Sequence, residues 1–211
     1  SVSGGVLNGQ IDANAGTLSI TGGKFTADIS PYLEAGQSAA NDTDGYYSIS
    51  NTTLNADDAA AQIGTGDTAA YYATVVGALA AAEDNDTITV LKGATEITGI
   101  TCSGTNVTLD LNGKTVDMGS KKITVSGGLT IKDGVGSGKL TGSTEVITVN
   151  QNASLTLESG TVEATGSTAI KLAYSSGISF TMRGGTVKGA GKTVDALRGT
   201  VTITGGRVET S

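Results

Sequence analysis

One nine-residue phrase recurs in this chain as TLSITGGKF (residues 17–25), SLTLESGTV (154–162), SFTMRGGTV (179–187) and TVTITGGRV (200–208). Each copy alternates apolar and polar residues, reaches a small residue and a Gly, and then resumes with a polar and an apolar residue. Alternation places apolar side chains on one face of a strand and polar ones on the other. The Gly positions are where a Cβ would obstruct the backbone or where φ must turn positive. The phrase therefore reads as strand, corner, strand.

The apolar residues fall into columns. The first is Val90, Leu109, Ile131, Leu157, Met182 and Ile203; the second is Ile97, Val116, Leu140, Val162, Val187 and Val208; the third is Cys102, Val125, Val149, Leu172 and Ala196. A period of about 19 to 26 residues is the signature of stacked coils, and three columns give each coil three faces. The predicted fold is all-β: a right-handed, three-faced parallel β-helix of about five coils, with levels about 4.8 Å apart. Composition agrees, because 32 Gly, a single Pro and abundant Ser and Thr disfavour long helices. With aromatics at 4% and no Trp, Val, Ile, Leu and Ala must fill the interior.

An open sheet edge at either end of such a rod invites aggregation unless it is covered. Residues 74–84, TVVGALAAAED, form the one convincing helix. Thr74 is placed to cap it, and Val75, Ala78, Leu79 and Ala82 make an apolar stripe. It is expected to lie over the lower mouth of a rod spanning residues 68–211. Residues 1–49 read as the last turns of another rod, through Val2, Leu7, Ala13, Ile20 and Phe25. A cap follows, built from a helical turn at Pro31 and a hairpin turning at Asp42-Thr-Asp44-Gly45. Residues 50–67 show neither periodicity and read as a linker. Val2 and Leu7 at one end, and Val201, Ile203 and Val208 at the other, are the expected open edges. Either another copy meets them, giving head-to-tail assembly, or further sequence continues both ends.

The runs at residues 71–93 (YYATVVGALAAAEDNDTITVLKG), 107–116 (VTLDLNGKTV), 129–134 (LTIKDG) and 154–172 (SLTLESGTVEATGSTAIKL) together resemble the pectin-lyase-like β-helical repeat domains of large surface proteins in gut Firmicutes. Residues 22–49 look like the segment that closes such repeats. The resemblance implies an extracellular, cell-surface or fibre-associated location and a role in adhesion or spacing. It implies no reaction.

Some chemistries are disfavoured by the residues themselves. The net charge of −7 opposes nucleic acid as a partner, and the longest basic run, Lys121-Lys122, reads as a solvated turn. No apolar run approaches the roughly 20 residues needed to span a bilayer. Histidine is absent, and the single Cys102, in the third column, reads as a small buried apolar residue.

Many parallel β-helices cleave polysaccharide, which takes paired carboxylates roughly 5 to 9.5 Å apart, or calcium-binding acids with a base. The outward pairs Asp110 with Lys132 and Glu158 with Arg183 instead read as charge pairing between coils. Asp42-Thr-Asp44-Gly45 resembles part of an EF-hand loop, but Ala40 and Asn51 stand at its first and last ligand positions. Glu83-Asp84-Asn85-Asp86 reads as a hydrophilic turn. Tyr174, in the loop after Leu172, is the best candidate for a glycan contact, since sugars stack on exposed rings. The expectation is a structural or adhesive module with no catalytic residue, no cofactor and no metal. Its partners would be copies of itself, neighbouring repeats, or host or plant glycan. The alternative is a β-helix that binds or cleaves glycan.

Overall fold

A computed structural model of the chain describes residues 1–9, 11, 18–50 and 53–210; the expectations for Ala13 and Asn51 lie outside them. Strand β1 (Val2–Leu7) pairs in parallel with β2 (Ile20–Phe25), Val2 opposite Ile20 and Leu7 opposite Phe25. The chain then makes a 3-10 turn (Ser30–Tyr32) and the antiparallel hairpin β3 (Ala39–Asn41) and β4 (Tyr47–Ile49), and β4 closes antiparallel on β2. Ile20, Phe25, Ile29 and Leu33 form the small core of this unit.

A second hairpin, β5 (Ala61–Ile63) and β6 (Ala70–Tyr72), leads into α1 (Val75–Ala81). The rod follows. Its successive coils are β7 (Thr87–Val90), β8 (Ala94–Thr95), β9 (Ile100–Cys102); β10 (Val107–Asp110), β11 (Thr115–Asp117), β12 (Ile123–Val125); β13 (Gly128–Lys132), β14 (Lys139–Gly142), β15 (Ile147–Val149); β16 (Ser154–Leu157), β17 (Thr161–Ala164), β18 (Ile170–Leu172); and β19 (Ser179–Met182), β20 (Thr186–Gly189), β21 (Val194–Ala196). Strands β22 (Thr200–Ile203) and β23 (Arg207–Thr210) begin one more level.

The strands stack in parallel as three sheets, β7-β10-β13-β16-β19-β22, β8-β11-β14-β17-β20-β23 and β9-β12-β15-β18-β21. This is a parallel β-solenoid, consistent with the expected right-handed β-helix. It has more levels than the about five coils expected. Five intervals separate Ile88 from Ile203 in the register of the first sheet, and five intervals bound six levels.

The third column stands as read: Cys102, Val125, Val149, Leu172 and Ala196 lie directly above one another. The first two columns are corrected at their lowest member. Ile88, not Val90, lies under Leu109, and Val90 pairs with Ala61. Ala94, not Ile97, lies under Val116, and Ile97 is 51% exposed. The corner after β7 is one residue shorter than the corner above it, so a spacing carried down from the upper coils overshoots.

The described part of the expected linker, residues 53–67, packs against the rod. Ala59 and Ala61 are fully buried, and β5 pairs antiparallel with β7, covering the lower edge of the first sheet. Small side chains suit a strand wedged beside a helix but carry little periodic signal. Thr74 caps α1 as expected, its hydroxyl accepting the Gly77 N–H at 3.0 Å. The helix ends at Ala81, short of residue 84, because Ala82 is extended and Asn85 turns to φ +70°. Its residues 75–79 are buried against β5, β6, β7 and β9, so it does cover the lower mouth. Its other side meets the turn at Pro31. The two units are further joined by the Gly36 N–H donating to the Tyr71 carbonyl at 2.8 Å and by Tyr32 Oη, 3.3 Å from Thr98 Oγ1.

Candidate functional site

On the outward side of the first sheet, Lys132 Nζ lies 3.3 Å from Asp110 Oδ2, and Arg183 lies 3.3 Å from Glu158 Oε1. Each pair bridges adjacent coils, as the alternation of charge implies. A stronger cluster sits beside the third sheet, where Glu145 takes Lys122 at 2.8 Å and Lys171 at 3.2 Å, from the coils below and above. The Thr148 hydroxyl also donates to Glu145. Burial pushes the Glu145 carboxyl up, but the bond from Lys122, the Thr148 hydroxyl and the second lysine outweigh it and hold it below the usual range. Spacing along the third face would not have found this cluster, since Lys171 stands opposite Thr148 and Glu145 lies in the corner before β15.

Glu145, Lys122 and Lys171 border a groove of about 650 Å³ between the rod and the first unit, whose other wall includes Pro31 and Tyr32. The carboxylate is already neutralised by two ammonium groups, so the arrangement offers no free general base.

The two acidic segments are occupied by their own chain. Asp42 accepts the N–H groups of Asp44 and Tyr46 at 3.0 and 2.9 Å and pairs with Lys24 at 2.7 Å. That lysine bond, followed by the Tyr46 N–H, lowers the pKa of Asp42. In the other segment Asp86 accepts the Glu83 N–H, and Asp84 the Thr105 N–H, both at 2.8 Å. Asp42 and Asp86 thus close turns, and Asp84 ties its turn to the corner leading into β10. Among the described residues, no group of three or more His, Cys, Asp or Glu is placed to hold a metal ion.

Asp133, which the sequence does not single out, organises the corner between β13 and β14. Its carboxylate is buried and accepts four backbone N–H groups, from Gly113 (2.7 Å), Val135 (3.2 Å), Gly136 (2.8 Å) and Gly138 (2.6 Å). Burial raises its pKa, and the four donors more than offset this, so the carboxyl titrates below its ordinary value.

Tyr174 stands in the loop between β18 and β19 and is 68% exposed. The Arg198 guanidinium lies 4.3 Å from its ring centroid, so one face of the ring is already used. Cys102 is fully buried, and burial pushes its thiol up to about 11. A nucleophilic role does not suit it.

The remaining expected residues lie at the two open edges. On β23 and β22, Val208, Val201 and Ile203 continue apolar columns that are fully buried one level below at Val187, Phe180 and Met182. They are themselves 47%, 39% and 52% exposed. On β1, Leu7 is exposed and Val2 half-buried.

No family model, curated protein or solved structure matches the chain. Among the described residues no helix is long and apolar enough to cross a membrane.

Proposed function

We propose that this chain is a non-enzymatic structural and adhesive module of an extracellular surface or fibre protein, a rigid rod that holds neighbouring parts at fixed spacing. The observation that carries the reading is the use of outward charge. Asp110, Glu145 and Glu158 each face cations on adjacent coils. Charge spent this way clamps coils together and engages these three carboxylates with cations instead of leaving them free as acid or base. The pectin-lyase-like resemblance of residues 71–93, 107–116, 129–134 and 154–172 supports the location. Partners of such a module are copies of itself, neighbouring repeats, or host or plant glycan.

A glycan-binding role is favoured by one observation, the exposed Tyr174 ring backed by Arg198. Sugars stack on such a face. A glycan array read in parallel with release of reducing sugar tests both. Catalytic turnover of any glycan refutes the structural reading. Binding without turnover, lost in Tyr174→Ala, makes the module an adhesin.

A further inference from the structure

The corner glycines divide into two physical roles. The second Gly of each pair has positive φ: Gly5 (+87°), Gly23 (+109°), Gly185 (+74°) and Gly206 (+91°). The first Gly has ordinary φ and is required by what lies beneath it. A Cβ on Gly184 would overlap the Glu158 carbonyl oxygen, one on Gly205 the Arg183 carbonyl oxygen, and one on Gly22 would sit 2.7 Å from the Ser3 carbonyl oxygen. Gly4 occupies the same place in VSGGVL, yet a Cβ there would meet nothing within 4 Å. Its own fold gives no reason for Gly4 to be glycine. A coil beneath it would.

The opposite edge carries the atoms that Gly4 lacks. Residues 203–208, ITGGRV, match residues 2–7, VSGGVL, position by position. In the rod, the Glu158 N–H donates to the Ile131 carbonyl, Arg183 to Leu157, and Thr204 to Met182 at 2.8 Å. Likewise Thr186 donates to Gly160 and Arg207 to Gly185, each at 2.9 Å. The next acceptors in these two series are the carbonyls of Ile203 and Gly206. The next donors in matching positions are Ser3 and Val6.

We infer that the β22–β23 edge of one chain receives β1 of a second copy in a single register: Val2 over Ile203, Gly4 over the Thr204 carbonyl, Val6 over Arg207 and Leu7 over Val208. For the 211-residue polypeptide the occupant is a second copy, because its edge repeats the corner, places Val2 and Leu7 on the apolar columns ending at Ile203 and Val208, and has the glycine where the carbonyl approaches. The contact is heterologous, so it repeats head to tail. This inference deepens the structural reading by naming its self-partner and register.

Gly4→Ala is the discriminating variant, since it has open space and unstrained φ within one chain but meets the Thr204 carbonyl of the next. Sedimentation velocity of the 211-residue polypeptide is expected to show mass rising with concentration through whole multiples of the chain. Gly4→Ala is expected to stay at one chain with an unchanged thermal melt. In a second arm, a chain carrying Val6→Cys and Arg207→Cys is oxidised. Cα atoms about 4.8 Å apart lie within disulfide reach, so a ladder of covalent multimers is expected. A parent that remains monomeric at every concentration, assembly undiminished by Gly4→Ala, or absence of the ladder each overturns the inference. None of these touches the display role, which stands or falls on the glycan assay.

Discussion

Glu96 offers a sharp test of how burial sets energetics here. It follows β8 and reaches the N-terminus of α1, where its Oε1 accepts the Val75 N–H at 2.9 Å, while Oε2 has no hydrogen-bond partner. The residue is 3% exposed. Two effects oppose each other. Desolvation disfavours the carboxylate, and the N–H groups of Val75 and Val76 favour it. The end of so short a helix adds about 0.5 kcal/mol in favour of the charge. Desolvation wins and raises the carboxyl from 4.5 to about 7, which is worth about 3 kcal/mol.

The sign follows from linkage. Between pH 4.5 and about 7 the folded chain keeps a proton that the unfolded chain has released, so stability falls as pH rises through this window and levels off above it. Glu96→Gln keeps an acceptor for Val75 but cannot ionise. Urea unfolding followed by circular dichroism, for parent and variant at about pH 4.5 and about pH 8.5, isolates the group. The parent is expected to lose about 3 kcal/mol more than the variant across that interval. Parallel pH dependence in the two proteins would show that Glu96 ionises without cost, and the burial argument would fail.

Asp133→Asn replaces one carboxylate oxygen with an amide that faces N–H donors, and is expected to cost about 3 kcal/mol at neutral pH by urea unfolding. Since the native pKa is lowered, the parent's advantage is present above the ordinary carboxylate range and is lost as pH falls through the folded value. Gly127→Ala would drive a Cβ into the carbonyl oxygens of Ser103 and Gly104, and is expected to destabilise by about 2–4 kcal/mol, measured by thermal melting. Gly4→Ala, a control with the same chemistry in open space, should leave the melt of the dilute chain unchanged. Cys102 should resist an aromatic disulfide reagent in the folded chain at pH 8 and react at once in urea. Rapid labelling of native protein would contradict its burial.

Much of the fold is legible along the chain because each coil meets the same steric problem with residues close in sequence. The Gly pairs at 22–23, 184–185 and 205–206 mark corners in the structure as they do in the text, and the third column superimposes throughout. Legibility fails at the lower end. Val90 looks like a column member by its neighbours, but the register with β10 sets Ile88 under Leu109, and both Ile88 and Val90 pair with β5 on the other side. Ala60 and Ala61 look like linker residues, and only the approach of helix and hairpin makes their small size useful. The left-handed turns at Asn106 and Asn152 are silent in the sequence, since Asn gives a weaker signal than Gly, whereas Asn85 falls in the turn expected at residues 83–86.

The order of residues settled the strand period, the corners, the helix that covers the mouth and the aliphatic filling, all consequences of local alternation and backbone sterics. Three-dimensional stacking decided the register of the lowest coil, the clamp on Glu145, the bond from Gly113 to Asp133 and the stranded oxygen of Glu96. Those partners lie as much as 26 residues away along the chain. At that separation, loop geometry fixes who meets whom, and no sequence neighbour records it.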